Sequence, residues 1–317
     1  MGEVLEIALR CLVVLAAFLV LPLLIGQIEH KTMAHMQSRV GPMYAGGFHG
    51  WAQLIADGVK FVQKEDVTPR AADRTVFALA PAVALVPYLV VLFVIPLGPS
   101  MVGADLDLGL FFALAVMSIG VLGSLMGGWA SANKYSLIGG LRVASQLMSY
   151  ELPMVLSAVS VAMMAGTLSL VGIAEAWQWS WLLWQLPALV VFVTAGLAEL
   201  QRPPFDMPIA DAELVLGPYT EYGGMRFAMF LLAEYAGILV LAALTTTLFL
   251  GGWRGPSSEE LGWLWALTKT MVVAFFVVWF RVAWPRMRED QLNALAWKAL
   301  VPVALGQLAL TTVVVLA

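Results

Sequence analysis

The sequence predicts an all-α membrane protein with eight transmembrane helices, a cytoplasmic-side amphipathic helix and long cytoplasmic loops. Of its 317 residues, 61% are hydrophobic and only 12% are charged, whereas a soluble domain has about 25% charged residues. Apolar runs of spanning length recur along the chain, and they lack the apolar–polar alternation of β-barrel strands. Because lipid offers no partner to unpaired backbone groups, helices are the expected spanning form.

Eight apolar runs are long enough to cross a bilayer, which takes about 20 helical residues. They lie at 7–27, 76–97, 108–130, 152–174, 181–198, 227–250, 263–283 and 299–317. The first run follows Glu3 and Glu6 instead of a basic segment. We therefore expect it to be retained and not cleaved as a signal peptide, and we interpret 1–317 as a single polytopic membrane domain.

The positive charges divide unequally between the two sides that eight spans would create. The odd-numbered connections, together with Arg281, hold 14 of the 17 Lys and Arg residues, and the other side holds Arg10, Arg254 and Lys269. These basic connections are 28–75, 131–151, 199–226 and 284–298. Cytoplasmic loops carry the excess of Lys and Arg. This predicts a multi-pass membrane protein whose basic connections face the cytoplasm and whose termini both lie on the outer side.

Few residues could hold a redox centre. Cys11 is the only cysteine, which excludes a disulfide framework and a thiolate-ligated iron–sulfur cluster. His30, His35 and His49 lie too close together in the chain to hold a haem across a bundle. No phosphate-binding loop, dinucleotide fingerprint, zinc-protease motif or nucleophile elbow is present. The residue types support proton handling, binding of an apolar molecule, or transport, and none indicates nucleic-acid binding.

The first connection contains an amphipathic segment at 50–64. Its apolar face has Trp51, Leu54, Ile55, Phe61 and Val62, and its polar face has Gln53, Asp57, Lys60, Gln63 and Lys64. The segment is too short and too polar to span, so we expect a helix along the membrane surface or across the bundle, apolar face down. A plain interfacial anchor remains an alternative.

In the second connection, 133–151, the pair Gly139–Gly140 predicts a tight turn or a break. Arg142 and Glu151 are charges beside apolar stretches, and each is the natural partner of the other. A buried ion pair and a proton path both fit this pattern.

The third connection is rich in acids, and three prolines prevent a regular helix there. The acids are Glu199, Asp206, Asp211, Glu213 and Glu221, and Glu234 follows inside the sixth span. An acid within a span is a functional candidate, and we expect it to pair with Arg202 or Arg226. A solvated loop is the alternative for the others, but the loop is also apolar, and carboxylates folded against apolar helix ends would have raised pKa values.

The fourth connection, 284–298, begins three residues after Arg281. Arg286 and Arg288 lie beside Asp290 in it. A lipid-headgroup anchor and a docking face for an acidic partner both fit this pattern.

Together, strings from these four connections closely resemble the family of the H subunit of respiratory complex I, the proton-pumping NADH:quinone oxidoreductase. The strings are QSRVGP at 37–42, IAD at 55–57 with Lys60, KED at 64–66, NKYS at 133–136, SYE at 149–151, RPPFD at 202–206, AEL at 212–214, TEYGG at 220–224, AEY at 233–235 and WPRMREDQ at 284–291. Each is weak alone, but they occur in order over nearly the whole chain.

The resemblance implies a membrane subunit that forms much of the quinone-access chamber and the first part of a chain of proton-coupling acids. It implies quinone, such as ubiquinone, as substrate and no cofactor on this chain, with FMN and iron–sulfur clusters on partner subunits that react with NAD. The implied partners are hydrophilic connecting subunits on the cytoplasmic side, small membrane and antiporter-like subunits laterally, and membrane lipid. We expect no oxidoreductase activity from the isolated chain.

The same resemblance assigns roles to individual residues. For the quinone chamber and its mouth they are Glu29, His30, Arg39, Asp57, Lys60, Phe205, Arg281 and Arg286. For proton coupling they are Glu151, Arg142, Glu199, Arg202, Asp206, Asp211, Glu213, Glu221 and Glu234. Arg288 and Asp290 match the last cytoplasmic loop. No catalytic residue and no metal ligand is implied.

Three motifs depart from the family pattern, at four positions. His30 stands where the family has Arg, and Glu289 replaces the Tyr of RYDQ. In the Glu-x-Glu-x-Glu run the first acid is Ile209 and the second is shortened to Asp211. With Ile209 in place, we expect Glu213 to be the more sensitive of the remaining loop acids.

Two other functions fit the sequence less well. The corresponding subunit of an energy-converting hydrogenase, or of another complex I-like oxidoreductase, would need no quinone chamber, and the first connection with its surface helix argues against it. A secondary transporter is a more distant alternative, since the two halves show no duplication.

Overall fold

The computed structural model describes residues 2–99, 101–209 and 211–316, and the side chains of 2–8, 211 and 212 are outside the described set. This part of the chain forms helices and no strand. The helices are α1 Gly2–Met36, α2 Gln53–Gln63, α3 Arg74–Val94, α4 Gly109–Ala130, α5 Lys134–Ala165, α6 Leu170–Ala176, α7 Trp179–Trp184, α8 Leu186–Glu199, α9 Asp211–Leu214, α10 Gly224–Phe249, α11 Ser258–Ala283, α12 Glu289–Leu295 and α13 Val301–Leu316.

The all-α prediction is confirmed. Seven helical segments of the described residues are long and apolar enough to cross a bilayer. The predicted fifth span, 181–198, is instead split at Gln185 into α7 and α8. The 14 residues of α8 rise about 21 Å at 1.5 Å per residue, less than the roughly 30 Å of a hydrocarbon core.

The predicted turn at Gly139–Gly140 is wrong, because both residues lie inside α5. That helix starts at Lys134 and includes much of the segment we expected to be a cytoplasmic loop. Its glycines serve close packing: a methyl group on Gly139 would lie 2.8 Å from the backbone nitrogen of Pro218. Two glycines in sequence suggest a break, but here each admits a close neighbour. Gly139 lies against the connection after α8, and Gly140 lies against Gly128 of α4.

Local caps explain where two long helices begin. The Asp73 side chain accepts hydrogen bonds from the backbone N–H groups of Thr75 and Val76 at the start of α3. The Asn133 side chain accepts one from the N–H of Tyr135 at the start of α5, at 2.9 Å. Each cap pairs a backbone donor that the first helical turn leaves free.

The innermost helix is α10, which packs against α1, α3, α8 and α11. Its residues 236–249 are all buried. Glu234 lies two residues before this buried stretch, so the sequence places a carboxylate where the helix enters the core. An unpaired charge at this position would be costly. Arg202, which follows α8, is the partner of Glu234.

The helix predicted at 50–64 is present as α2, Gln53–Gln63, and it packs against α1 and α10. Only part of its expected apolar face packs against other helices, and the rest is exposed. Leu54 reaches α1 at Gly26, and the ring of Phe61 lies 5.9 Å from that of Phe227. By contrast, Trp51, Ile55, Val59 and Val62 are exposed.

Candidate functional site

The centre of the site is an ion pair between residues 173 positions apart in the chain. Arg202 Nη1 donates to both oxygens of Glu29, at 2.9 and 2.8 Å. The two side chains are only 2% and 1% exposed. Glu29 comes from α1, and Arg202 follows the end of α8, so the pair joins the first helix to the acidic connection. A single nitrogen of the guanidinium thus bridges both carboxylate oxygens, and hydrogen bonds between charged groups are stronger than those between neutral ones.

Two more charges complete this group. Arg202 Nε lies 2.7 Å from a carboxylate oxygen of Glu234, which confirms the predicted pairing, and Arg281 donates to Glu29. The guanidinium of Arg202 also lies 5.0 Å from the ring centre of Tyr235. Glu29, Arg202, Glu234 and Arg281 are called the buried charge cluster below. Two acids and two bases make it neutral overall when all four are ionised.

The connection that carries Arg202 is held from both sides. Gln146 of α5 donates from Nε2 to the carbonyls of Ala198, at 2.6 Å, and Phe205, at 2.8 Å. The N–H of Met287 donates to the Pro204 carbonyl at 3.0 Å. Phe205 is buried against Tyr150, with ring centres 5.8 Å apart. These contacts hold the segment after α8 in one position and so fix Arg202 beside Glu29.

A cavity of about 240 Å³ lies beside the buried charge cluster. Arg281 and three carboxylate residues line it, Glu199, Asp206 and Glu234. Such a volume has room for several water molecules. One predicted acid from each of α8, the third connection and α10 therefore lines the same space.

Glu199, which lines this space, and Glu151 of α5 have different surroundings. Glu199 is buried, and neither of its carboxylate oxygens has a hydrogen-bond partner among the described residues. Glu151 accepts a hydrogen bond of 2.7 Å from the hydroxyl of Ser118 on α4. Sequence reasoning did not identify Ser118, since a serine within an apolar helix has no pattern that distinguishes it.

The expected pairing of Arg142 with Glu151 is wrong. Nine residues of helix separate them, which is about two and a half turns, so they lie on opposite faces of α5. Arg142 instead lies 2.8 Å from Glu213 and 3.6 Å from Glu289. It also donates to the Met207 carbonyl at 3.3 Å.

Glu213 lies outside the cavity, with its side chain 62% exposed. Its hydrogen bond from Arg142, and then the charge of that guanidinium, hold the pKa of the Glu213 carboxyl below its ordinary value. The raised pKa expected for this loop acid is therefore wrong. An exposed carboxylate beside an arginine stays ionised near neutral pH.

Further arginines and acids continue this exposed group. Arg286 donates to the backbone carbonyl of Asp206, and Arg288 lies 2.8 Å from Asp290. Arg142, Glu213, Arg286, Arg288, Glu289 and Asp290 are called the surface charge cluster below; together they line an open groove. Glu289, which departs from the family pattern, provides one of the acceptors of Arg142.

The predicted residues of the first connection lie apart from the buried charge cluster, except Glu29. Asp57 contacts Gln53 and Lys60 within α2, and exposed Arg39 donates to Gln37 at 2.8 Å. His30 Nδ1 is buried without a hydrogen-bond partner among the described residues.

The remaining candidate acids have local partners or lie outside the description. Glu221 accepts a 2.6 Å hydrogen bond from Asn133. Arg226, the other possible partner of Glu234, lies 3.0 Å from Asp66. The backbone of Asp211 is helical, but its side chain is not among those described.

Known proteins resemble this chain over nearly its whole length. Residues 9–312 match the family model described as NADH dehydrogenase. A relative from Geobacillus kaustophilus is 45% identical over 291 residues, which cover 90% of this chain and 87% of that protein. A relative from Bacillus cytotoxicus is 44% identical over 289 residues, with the same coverage. Both are named as the H subunit of NADH-quinone oxidoreductase.

Proposed function

The chain belongs to the NADH dehydrogenase family, and on that premise we propose that it forms the quinone-access chamber and the first part of the proton path of a bacterial NADH-quinone oxidoreductase. The names of its relatives favour this complex over an energy-converting hydrogenase. The observation that carries the proposal is the buried charge cluster beside an acid-lined cavity.

The cluster supports a coupling role because Arg202 contacts an acid on each side. Glu29 holds one edge of its guanidinium, and Glu234 approaches another. Nε and Nη2 have no well-aligned hydrogen-bond acceptor among the described residues, so the Glu234 contact is ionic and leaves donors free to change partners. A proton gained by Glu234 would weaken its hold on Arg202 and strengthen the Arg202–Glu29 pair. Charge in the chamber and protonation in the cavity would then be linked equilibria.

The cavity supplies the beginning of the proton path in this proposal. Glu199, Asp206 and Glu234 line it. We assign Glu151, which accepts a hydrogen bond from Ser118, to the next step of the path. Buried carboxylates in an apolar bundle are suited to proton exchange, since burial and mutual repulsion disfavour their charged forms. Glu221 belongs to the rim of the path, whereas Glu213, exposed and paired with Arg142, lies outside it. In this proposal Glu213 is therefore not the sensitive loop acid that the resemblance led us to expect.

The chamber side of the proposal rests on α2 and the end of α1. Gln27 Nε2 donates to the Gly50 carbonyl at 3.1 Å and ties the two elements together. The exposed stripe Trp51, Ile55, Val59 and Val62 is suited to acyl chains or an isoprenoid tail at the membrane surface. We assign His30, Arg39, Asp57, Lys60 and Phe205 to this mouth. Quinone is the substrate, and FMN and iron–sulfur clusters are on partner subunits.

We further propose eight spans, with α7 and α8 together making the fifth. The odd-numbered connections then face the cytoplasm and the hydrophilic subunits, and both termini lie outside. The small membrane and antiporter-like subunits lie laterally. A reporter that is active only in the cytoplasm should be inactive when it is fused after Ala317. An active fusion would refute this topology.

The proton path is tested by comparing two acids in assembled complexes in inverted membrane vesicles. Glu234→Gln should reduce NADH-driven proton pumping by about tenfold or more, since a positioned proton-transfer group contributes roughly 100-fold or more to its step. Glu213→Gln is the matched control and should retain pumping. Wild-type quinone reduction and pumping in Glu234→Gln would place the proton path elsewhere.

The chamber is tested at Trp51. Trp51→Glu places a charge on the apolar stripe and should raise the KM for quinone several-fold, whereas Trp51→Leu keeps the stripe apolar and should not. Both variants are assayed in assembled complexes with a long-tailed and a short-tailed quinone. An unchanged KM for the long-tailed quinone in Trp51→Glu would make α2 a passive anchor.

A further inference from the structure

The acid-lined cavity also has a wall of hydroxyl groups. Tyr88, Ser124 and Tyr219 line the same space as Glu199, Asp206 and Glu234. None of the three hydroxyl residues was singled out from the sequence. The hydroxyl groups therefore share the cavity wall with the carboxylates between which a proton would have to move.

The hydroxyl wall is organised by one face of α4. Gly120, Ser124 and Gly127 follow one another at helical spacing, so they lie along one side of the helix. A methyl group on Gly120 would lie 3.3 Å from the hydroxyl of Tyr88, and one on Gly127 would lie 3.6 Å from that of Tyr222. Between them, the hydroxyls of Ser124 and Tyr219 are 2.7 Å apart.

The Tyr219 side chain is held in place by its neighbours, and its hydroxyl stays neutral. Its ring packs against Phe230, with centres 4.6 Å apart. Burial raises the pKa of Tyr219 above its ordinary value; the hydrogen bond with Ser124 opposes that rise, and the charges of Glu234 and Asp206 add to it. A neutral phenol hydroxyl can accept one hydrogen bond while it donates another, which is the requirement for passing a proton on.

Other side chains of the wall cannot do this. Ile209 and Leu216 also line the cavity, and they have no exchangeable proton. Ile209 stands close to the acids of the third connection, and an apolar side chain there interrupts the row of carboxylates. The hydroxyls of Tyr219 and Ser124 provide exchangeable protons on the same wall, where Ile209 provides none.

We propose that the hydroxyl pair of Tyr219 and Ser124 is a proton relay between the carboxylates that line this cavity. The proposal rests on the proposed function, because it assigns a further element to the same proton path. It names Tyr219 and Ser124 as relay residues.

The transfer is balanced. A protonated carboxyl group, directly or through water in the cavity, gives its proton to a lone pair of the Tyr219 oxygen. In the same step, the original Tyr219 O–H bond breaks, and that proton passes to Ser124 or to water and then to a second carboxylate. Ser124 exchanges protons in the same way. One proton enters and one leaves, no electron is transferred, and both hydroxyls end neutral.

Tyr219→Phe removes only the hydroxyl oxygen and its proton and should test the relay. In assembled complexes, it should lower coupled quinone reduction and proton pumping by about tenfold, as expected for loss of a proton-transfer group, and increase the solvent deuterium isotope effect. Tyr222→Phe is the matched control, because that hydroxyl donates to the Phe77 carbonyl at 3.1 Å and does not line the cavity. It should leave both rates unchanged. Wild-type rates in Tyr219→Phe would overturn the relay.

A rescue separates a relay from a purely structural hydroxyl. Ile209→Glu places a new carboxylate on the same wall, so the double variant Ile209→Glu/Tyr219→Phe should recover most of the lost pumping. Ser124→Ala offers a second route if Tyr219→Phe fails to assemble, and it should lower the same rates. A double variant as slow as Tyr219→Phe alone would overturn the relay. If Glu234→Gln abolishes pumping while Tyr219→Phe pumps normally, the relay is wrong and the proposed function stands; if neither variant changes pumping, both are wrong.

Discussion

The buried charge cluster and the surface charge cluster contain the same kinds of side chain at the same separations, yet they differ in burial. Arg202 and Glu29 are 2.8 Å apart and almost fully enclosed. Arg288 and Asp290 are also 2.8 Å apart, but their side chains are 78% and 64% exposed. The distance between charges therefore does not indicate what an ion pair does. Its access to water does.

The two clusters should respond differently to loss of one partner. An exposed pair is screened by water and salt, and many such pairs contribute nothing measurable. Removing one side of a buried pair leaves the other charge without solvent or partner, which costs about 3–5 kcal/mol. We therefore expect the buried charge cluster to tolerate few substitutions, and the surface charge cluster to tolerate many.

The largest effect is predicted for Arg202→Met. It leaves Glu29 dependent on Arg281 alone and should destabilise the subunit by about 3–5 kcal/mol. The measurements are the yield of assembled complex and its midpoint of thermal inactivation. Arg288→Met is the matched control and should assemble at the wild-type level. Equal losses in the two variants would remove the distinction between the clusters.

A smaller effect is predicted for Arg142→Gln, which removes the contacts with Glu213 and Glu289. Because Arg142 holds the pKa of Glu213 below its ordinary value, the pair stabilises the fold above the unfolded pKa of about 4.3 and is lost as the pH falls through the folded value. Both pH 6 and pH 8 lie above this range. The difference in thermal midpoint between Arg142→Gln and wild type should therefore be the same at the two pH values. A difference that grows between these pH values would mean that another group controls this contact.

The sequence predicted the helices better than the contacts between them. Apolar runs identified the spanning segments because lipid imposes one simple requirement on composition. Gly139 and Gly140 misled the prediction, since a glycine that breaks a helix and one that admits a neighbour look alike in sequence. The break at Gln185 had a local signal that the prediction did not use, because Pro187 lies in the first turn of α8, where proline is favoured.

The candidate site was predictable only where a rule links residue type to position. An acid inside a span needs a partner, so Glu234 with Arg202 could be predicted. The pair of Glu29 and Arg202 joins segments 173 residues apart, and no local pattern encodes it. Arg142 shows the opposite error, because closeness in sequence suggested a partner on the wrong face of α5.

The central claim, that Arg202 links Glu29 to Glu234 as one unit, is tested most directly by a double-mutant cycle. Glu29→Gln, Glu234→Gln and the double variant are compared in proton pumping per quinone reduced, using complexes that assemble normally. Residues in one network are non-additive, with interaction energies of about 0.5–3 kcal/mol. We expect the double variant to pump no worse than the poorer single variant. A double variant whose loss equals the product of the two single losses would contradict the claim.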